Sequence, residues 1–179
     1  MGDGCRAPRG YPHPSYLSPH PFAVRAVLFF LLLFPLAVPS VRADVLARVV
    51  SVHDGDTLTV VIDERQVKVR LTDIDAPELR QPFGTKSKQS LSELCFGKTA
   101  ALEVRRQDRY KPALAQVICG GRDANAEQVR RGLAWTYVRY ARSDSQLHAI
   151  QAAAQTAHRG LWVDPAPVAP WDWRKYDRP

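Results

Sequence analysis

Long apolar runs, cysteines and paired histidines are all scarce in this 179-residue chain, and each shortage narrows what the chain can be. The one sustained apolar stretch, Ala26 to Val38, is interrupted by Pro35. A membrane-spanning helix needs about 20 apolar residues, so the stretch is short for a span. Cysteine is limited to Cys5, Cys95 and Cys119. His148 and His158 have no partners at ligand spacing, and His53 stands alone before a turn, where a structural or solvated role is the usual one. No internal repeat is visible, which argues against a repeat architecture. An apolar fraction of 45% is ordinary for a globular protein and argues against disorder throughout.

The N-terminal region reads as a targeting segment. Residues 1–26 are rich in Pro, Gly and Arg, and Pro39-Ser40-Val41-Arg42-Ala43 follows the apolar run. Short residues at Val41 and Ala43 suit cleavage after Ala43, with a retained N-terminal anchor as the alternative. The expected organisation is therefore a signal peptide or anchor over 1–43, a folded domain over 44–163 and a Pro/Trp-rich tail over 164–179. Removing residues 1–43 takes away four arginines and one aspartate and lowers the formal charge from +7 to +4. That excess is compatible with nucleic acid but decides nothing alone. In an exported, periplasmic or secreted chain, Cys95 and Cys119 favour a disulfide over two buried thiols. Such a link is typically worth about 3 kcal/mol.

The mature region opens as a three-stranded meander. Val45–Val52 is β-rich, Asp54-Gly55-Asp56 is a turn, and Thr57–Ile62 is almost wholly β-branched or aliphatic. After Asp63-Glu64, the segment Gln66–Leu71 alternates strictly, with Val67, Val69 and Leu71 on one face and Lys68 and Arg70 on the other. Thr85–Leu94 reads as a helix, with Leu91 and Leu94 on one stripe beside Phe83 and Phe96. Ala100–Val104 and Leu114–Ile118 read as two strands. Asn125 with Gln128 three residues on has the pattern of a capping box, and Gly132 ends that short helix. A longer helix begins around Ser143 or Asp144, with Leu147, Ile150, Ala154, Ala157 and Leu161 on one stripe and Gly160 at its end. The tail reads as extended, pinned if at all by Trp171 and Trp173. Five short strands in a chain of this size are best closed into a small barrel with helices against it. The expected class is α+β: a five-stranded OB-type barrel with about three helices.

Chemistry concentrates in Asp54-Gly55-Asp56-Thr57, Arg70 and Asp73-Ile74-Asp75-Ala76-Pro77-Glu78. Carboxylates gathered at neighbouring strand ends suit a hard divalent cation, which takes oxygen ligands and can polarise a phosphoryl oxygen. An arginine nearby offers a planar fork for phosphate. The alternative reading of these residues is ordinary turn chemistry.

These residues resemble a known family. Asp-Gly-Asp-Thr, then Val-Arg-Leu, then Ile-Asp-Ala-Pro-Glu is similar to the signature of staphylococcal nuclease-like (thermonuclease) domains. So are Lys86-Ser87-Lys88, Phe96-Gly97-Lys98, Asp108-Arg109-Tyr110, Asn125-Ala126-Glu127 and Gly132-Leu133-Ala134. The likeness runs from about Val45 to Trp162, and Pro170-Trp171-Asp172-Trp173-Arg174 is similar to the tail of exported bacterial members. The resemblance implies an OB-type barrel and Ca²⁺-dependent hydrolysis of DNA and RNA phosphodiesters. It implies calcium on the carboxylates of Asp56 and Asp75 and the main-chain carbonyl of Ala76. Glu78 then positions or deprotonates the water, Arg70 binds phosphate, and Asp54 orders the turn that presents Asp56.

One departure stands out. The family continues Asp-Arg-Tyr with Gly-Arg, whereas this chain has Lys111-Pro112, and Pro112 falls where the second phosphate-binding arginine belongs. Proline supplies neither charge nor donor, and Lys111 supplies a point charge but no fork. A weakened or altered nuclease is the expectation. Its alternatives are a non-catalytic module that binds single-stranded nucleic acid, or an envelope-structural domain that binds calcium only for stability. Tyr110, Tyr137 and Tyr140 either stack on bases or pack. Trp135 and Trp162 read as core, and Arg130, Arg131, Lys86 and Lys88 as solvated helix faces. No stable protein partner is evident: the expected state is a monomer acting on DNA or RNA, touching a membrane only if the N-terminal segment is retained.

Overall fold

The computed structural model describes residues 45–108, 111–137 and 146–176. The expected export segment over 1–43 and the tyrosines Tyr110 and Tyr140 lie outside the described residues. Strands β1 (Val45–Val52), β2 (Thr57–Ile62) and β3 (Arg65–Leu71) form the antiparallel meander. The β2–β3 turn places both Asp63 and Glu64 at positive φ, 47° and 62°, the conformation whose twist suits a two-residue hairpin. β4 (Ile74–Asp75) follows, then helix α1 (Gly84–Cys95), then the long hairpin β5 (Thr99–Asp108) and β6 (Lys111–Cys119). β1 pairs with β5, and β3 runs parallel to β6 through Val69–Ala113, Arg70–Leu114 and Leu71–Ala115. That pairing closes five strands into a barrel in the order β3-β2-β1-β5-β6. Closure removes open edges, and register shifts in β1 and β5 give the local bend it requires. This is the α+β OB-type barrel that the resemblance implies.

Short strand β7 (Arg122–Asp123) leads into helix α2 (Ala124–Arg130). β8 (Trp135–Thr136) pairs with β4, and helices α3 (Gln146–Thr156) and α4 (Pro170–Tyr176) follow, separated by a 3-10 turn at Gly160–Val163. Val49, Leu58, Val60, Val69, Leu71, Leu102, Ala115 and Val117 fill the core, with Leu91 and Leu94 of α1 and Val129 of α2 packed against them. Among the described residues no helix is long and apolar enough to cross a membrane. Cys95, at the end of α1, is disulfide-bonded to Cys119, at the end of β6.

Several elements differ from the sequence reading. Asp123, not Asn125, caps α2 by accepting from the Ala126 N–H at 3.1 Å. Asn125 and Gln128 are buried and tie elements together. Asn125 accepts from the Val117 N–H and donates to the Thr72 carbonyl. Gln128 Nε2 donates to the carbonyls of Gly55, at 2.7 Å, and Ser87, at 3.0 Å. Both satisfy backbone groups that burial would otherwise strand, a role no local spacing reports. Phe96 and Ala157 are exposed rather than part of their helices' apolar stripes. Trp135 is buried, and Trp162 is half-buried and meets it edge-on with ring centroids 5.3 Å apart. The tail is not extended throughout, because α4 forms a helix that docks on the domain.

Candidate active site

The site is assembled from the ends of β1–β4 and from α4. The turn between β1 and β2 presents Asp56, whose N–H donates to Asp54 Oδ1 at 3.0 Å. Gly55 is obligatory in that turn. A Cβ there would stand 1.8 Å from Ser87 Oγ and 2.7 Å from the Ala76 Cβ, so the turn can nest against α1 and the Ala76 loop only without a side chain. Asp56 is 2% exposed. Its Oδ1 accepts from Arg70 Nη1 and from Thr57 Oγ1, both at 2.8 Å, and its Oδ2 accepts from the Ala76 N–H at 2.9 Å. Arg70 lies on the face of β3 opposite the core residues Val69 and Leu71, as strand alternation dictates.

Asp75 comes from β4, which β8 holds in place. Its side chain is 1% exposed. Arg70 Nη2 donates to its Oδ1 at 2.7 Å, so one guanidinium joins Asp56 and Asp75. From the other side, Arg174 of α4 donates through Nη2 to Asp75 Oδ2 at 2.5 Å and through Nη1 to Asp75 Oδ1 at 3.3 Å and Glu78 Oε1 at 2.6 Å. Asp56, Asp75, Glu78 and Arg70 therefore converge, and Arg174 joins them.

The electrostatics follow from burial. The Asp56 carboxyl is pushed up to about 7, first by burial, with Arg70 opposing and Asp54 adding to the rise. Burial pulls the Arg70 guanidinium down, but Asp56 and Asp75 outweigh it and leave Arg70 above its ordinary value. Arg174 is also raised, chiefly by its hydrogen bond to Asp75, against some burial. Both arginines stay cationic, whereas burial disfavours the ionised form of Asp56 despite the Arg70 partner.

A groove of about 500 Å³ opens beside this cluster, lined by Arg70, Asp75, Arg105, Arg106, Tyr137 and Arg174 among others. Arg105 pairs with Asp73. Tyr137 donates its N–H to the Asp73 carbonyl at 2.9 Å and packs on Trp171, ring centroids 5.5 Å apart. Lys111 is exposed at the start of β6, next to exposed Pro112, and neither lines the groove. His53 is structural, with Nε2 2.8 Å from Thr59 Oγ1. Arg130 and Arg131 pair with Glu127 on the surface of α2, and Lys86 sits over the Phe83 ring.

The position of Glu78 depends on Gly84. A Cβ on Gly84 would lie 1.9 Å from the Glu78 carbonyl oxygen and 2.7 Å from its carbonyl carbon, so the backbone carrying Glu78 would have to move. Gly84→Ala is expected to cost about 1–3 kcal/mol, as overpacking does, and to displace Glu78. Thermal unfolding checks it, and a melting temperature equal to wild type would show that the loop yields freely.

A profile of the staphylococcal nuclease homologues matches residues 68–164. The chain belongs to the staphylococcal nuclease family. Several bacterial relatives are similar over most of their length. An uncharacterised endonuclease of Escherichia coli is 41% identical over 145 residues, covering 80% of this chain and 94% of the relative. An uncharacterised endonuclease of Haemophilus influenzae is 40% identical over 149 residues, 83% of each chain. A micrococcal nuclease of Shigella flexneri is 36% identical over 163 residues, 86% of this chain and 92% of the relative. The profile ends at residue 164, so α4 and Arg174 lie beyond it.

Arg174 is the site residue that sequence reasoning missed. It lies 99 positions from Asp75 and 96 from Glu78. The signal was the cation in Trp171-Asp172-Trp173-Arg174, hidden by reading the segment as extended.

Proposed function

We propose that the protein is a nuclease that hydrolyses DNA or RNA phosphodiester bonds with a divalent cation, calcium, at Asp56 and Asp75. The observation that carries this reading is the single guanidinium of Arg70 joined to two buried aspartates beside Glu78, at the edge of an arginine-lined groove.

The residues fit a hard cation. All their donors are oxygens, and a cation at Asp56 would offset the burial that disfavours its ionised form. Among the described residues no three His, Cys, Asp or Glu side chains form a ready-made cage. Asp56, Asp75 and the Ala76 carbonyl would leave much of the shell to water, as such ions accept. When bound, the ion supplies polarisation of the phosphoryl group and charge neutralisation. The chain supplies the rest. Arg70 presents its planar fork to a phosphate oxygen. Glu78, 39% exposed and paired with the groove-lining Arg174, orients the attacking water and accepts its proton. Tyr137 offers a ring to a base.

The protein acts as a monomer outside the cytoplasm, with residues 1–43 as its export segment. The Cys95–Cys119 disulfide supports that placement, since such links persist in oxidising compartments. Incubation with single-stranded DNA tests the activity: cleavage is expected with calcium and is lost on chelation. Intact DNA under both conditions would leave the binding-only module.

A further inference from the structure

The carboxylate cluster is held by two guanidinium groups, and the second comes from a helix beyond the family profile. Arg70 and Arg174 grip Asp75 from different elements, Arg70 at Oδ1 and Arg174 most closely at Oδ2, and Arg174 also holds Glu78. Their side chains are 35% and 40% exposed, and both line the groove. Arg105, on the same groove, pairs with Asp73. Lys111 and Pro112 lie outside it.

The helix that carries Arg174 is specifically anchored. Gln81 Nε2 donates to the Val168 carbonyl at 2.6 Å, and Pro170 is buried. Trp171 packs on Tyr137, and Trp173 lines a small cavity with Gln81, Phe83, Trp135 and Leu161. These contacts anchor α4, whose last turn carries Arg174 to Asp75 and Glu78. A tail needing only solvation would not require them.

We propose that Arg174 is a second phosphate-holding guanidinium of this active site, delivered by the docked C-terminal helix to a groove where Pro112 supplies no charge. The proposal rests on the nuclease reading. Asp75 and Glu78 hold the fork when no anion is present. A phosphodiester entering the groove meets Arg70 on one side of Asp75 and Arg174 on the other, so its developing charge is shared between two planar donors.

The test uses the full chain with Arg174→Ala and Arg174→Lys. Two quantities are read: the cleavage rate on single-stranded DNA, and the salt dependence of binding to a phosphorothioate oligothymidylate. Losing one donor to transition-state charge is expected to slow cleavage about 100-fold. Losing one phosphate contact is expected to flatten the slope of log K against log salt by about 0.7 on a single strand. Arg174→Lys should keep the slope, since the charge remains, and recover only part of the rate, since the fork is gone. A slope unchanged in Arg174→Ala overturns the proposal even if the rate falls, because a helix pin or a Glu78 support would do that. An unchanged rate overturns it as well. Absence of cleavage by the wild type would instead strike the nuclease reading, while the slope comparison would still decide whether Arg174 holds phosphate.

Discussion

Arg70→Ala is expected to lower activity by about a thousandfold and to destabilise the fold. Arg70 bonds two aspartates whose side chains are 3% and 1% exposed. Removing one partner of a buried ion pair costs about 3–5 kcal/mol. Arg70 is itself 35% exposed, and solvent screens part of that loss, which brings the expected cost to about 1–3 kcal/mol. The catalytic loss has two sources. One is the donor to the phosphate, worth about 10²–10³ in rate. The other is the alignment of Asp56 with Asp75, which one guanidinium fixes. Melting curves and steady-state rates separate these effects. Arg70→Lys should recover little, because an ammonium cannot span two carboxylates as a planar fork does. A variant as stable and as active as wild type would mean that the aspartates are held by other groups.

Glu78→Gln should leave the fold nearly untouched and slow the reaction by about 10²–10⁴, the usual contribution of a positioned general base. The amide keeps the shape and retains an oxygen for the 2.6 Å bond from Arg174, but it cannot take a proton from water. The expected signature is a fall in kcat with little change in KM or melting temperature. A rise in KM at constant kcat would make Glu78 a binding group and move the proton acceptor elsewhere.

The parts of this arrangement visible in the sequence are those written in local periodicity. Val67, Val69 and Leu71 alternate with Lys68 and Arg70, so the outward direction of Arg70 follows from a period of two. Asp54-Gly55-Asp56 announces its turn. The parallel β3–β6 pairing that closes the barrel joins residues far apart and has no local signature. Asn125 and Gln128 match a capping box by spacing, yet each is occupied with distant buried backbone groups. In α4, Pro170 at the first helical position, Asp172 in the first turn and Arg174 with Lys175 in the last are favourable helix signals. Seven residues are too few to hold a helix in water without docking, and docking is a tertiary fact. The second guanidinium was therefore legible as a residue type and illegible as a place.

The proposed calcium site at Asp56 and Asp75 underlies every catalytic role proposed for the groove, and calorimetric titration of the ion into wild type and Asp75→Asn tests it directly. One ion per wild-type chain and none on the variant is the predicted result. Equal heats from the two proteins would place the cation elsewhere, or nowhere, and contradict the account.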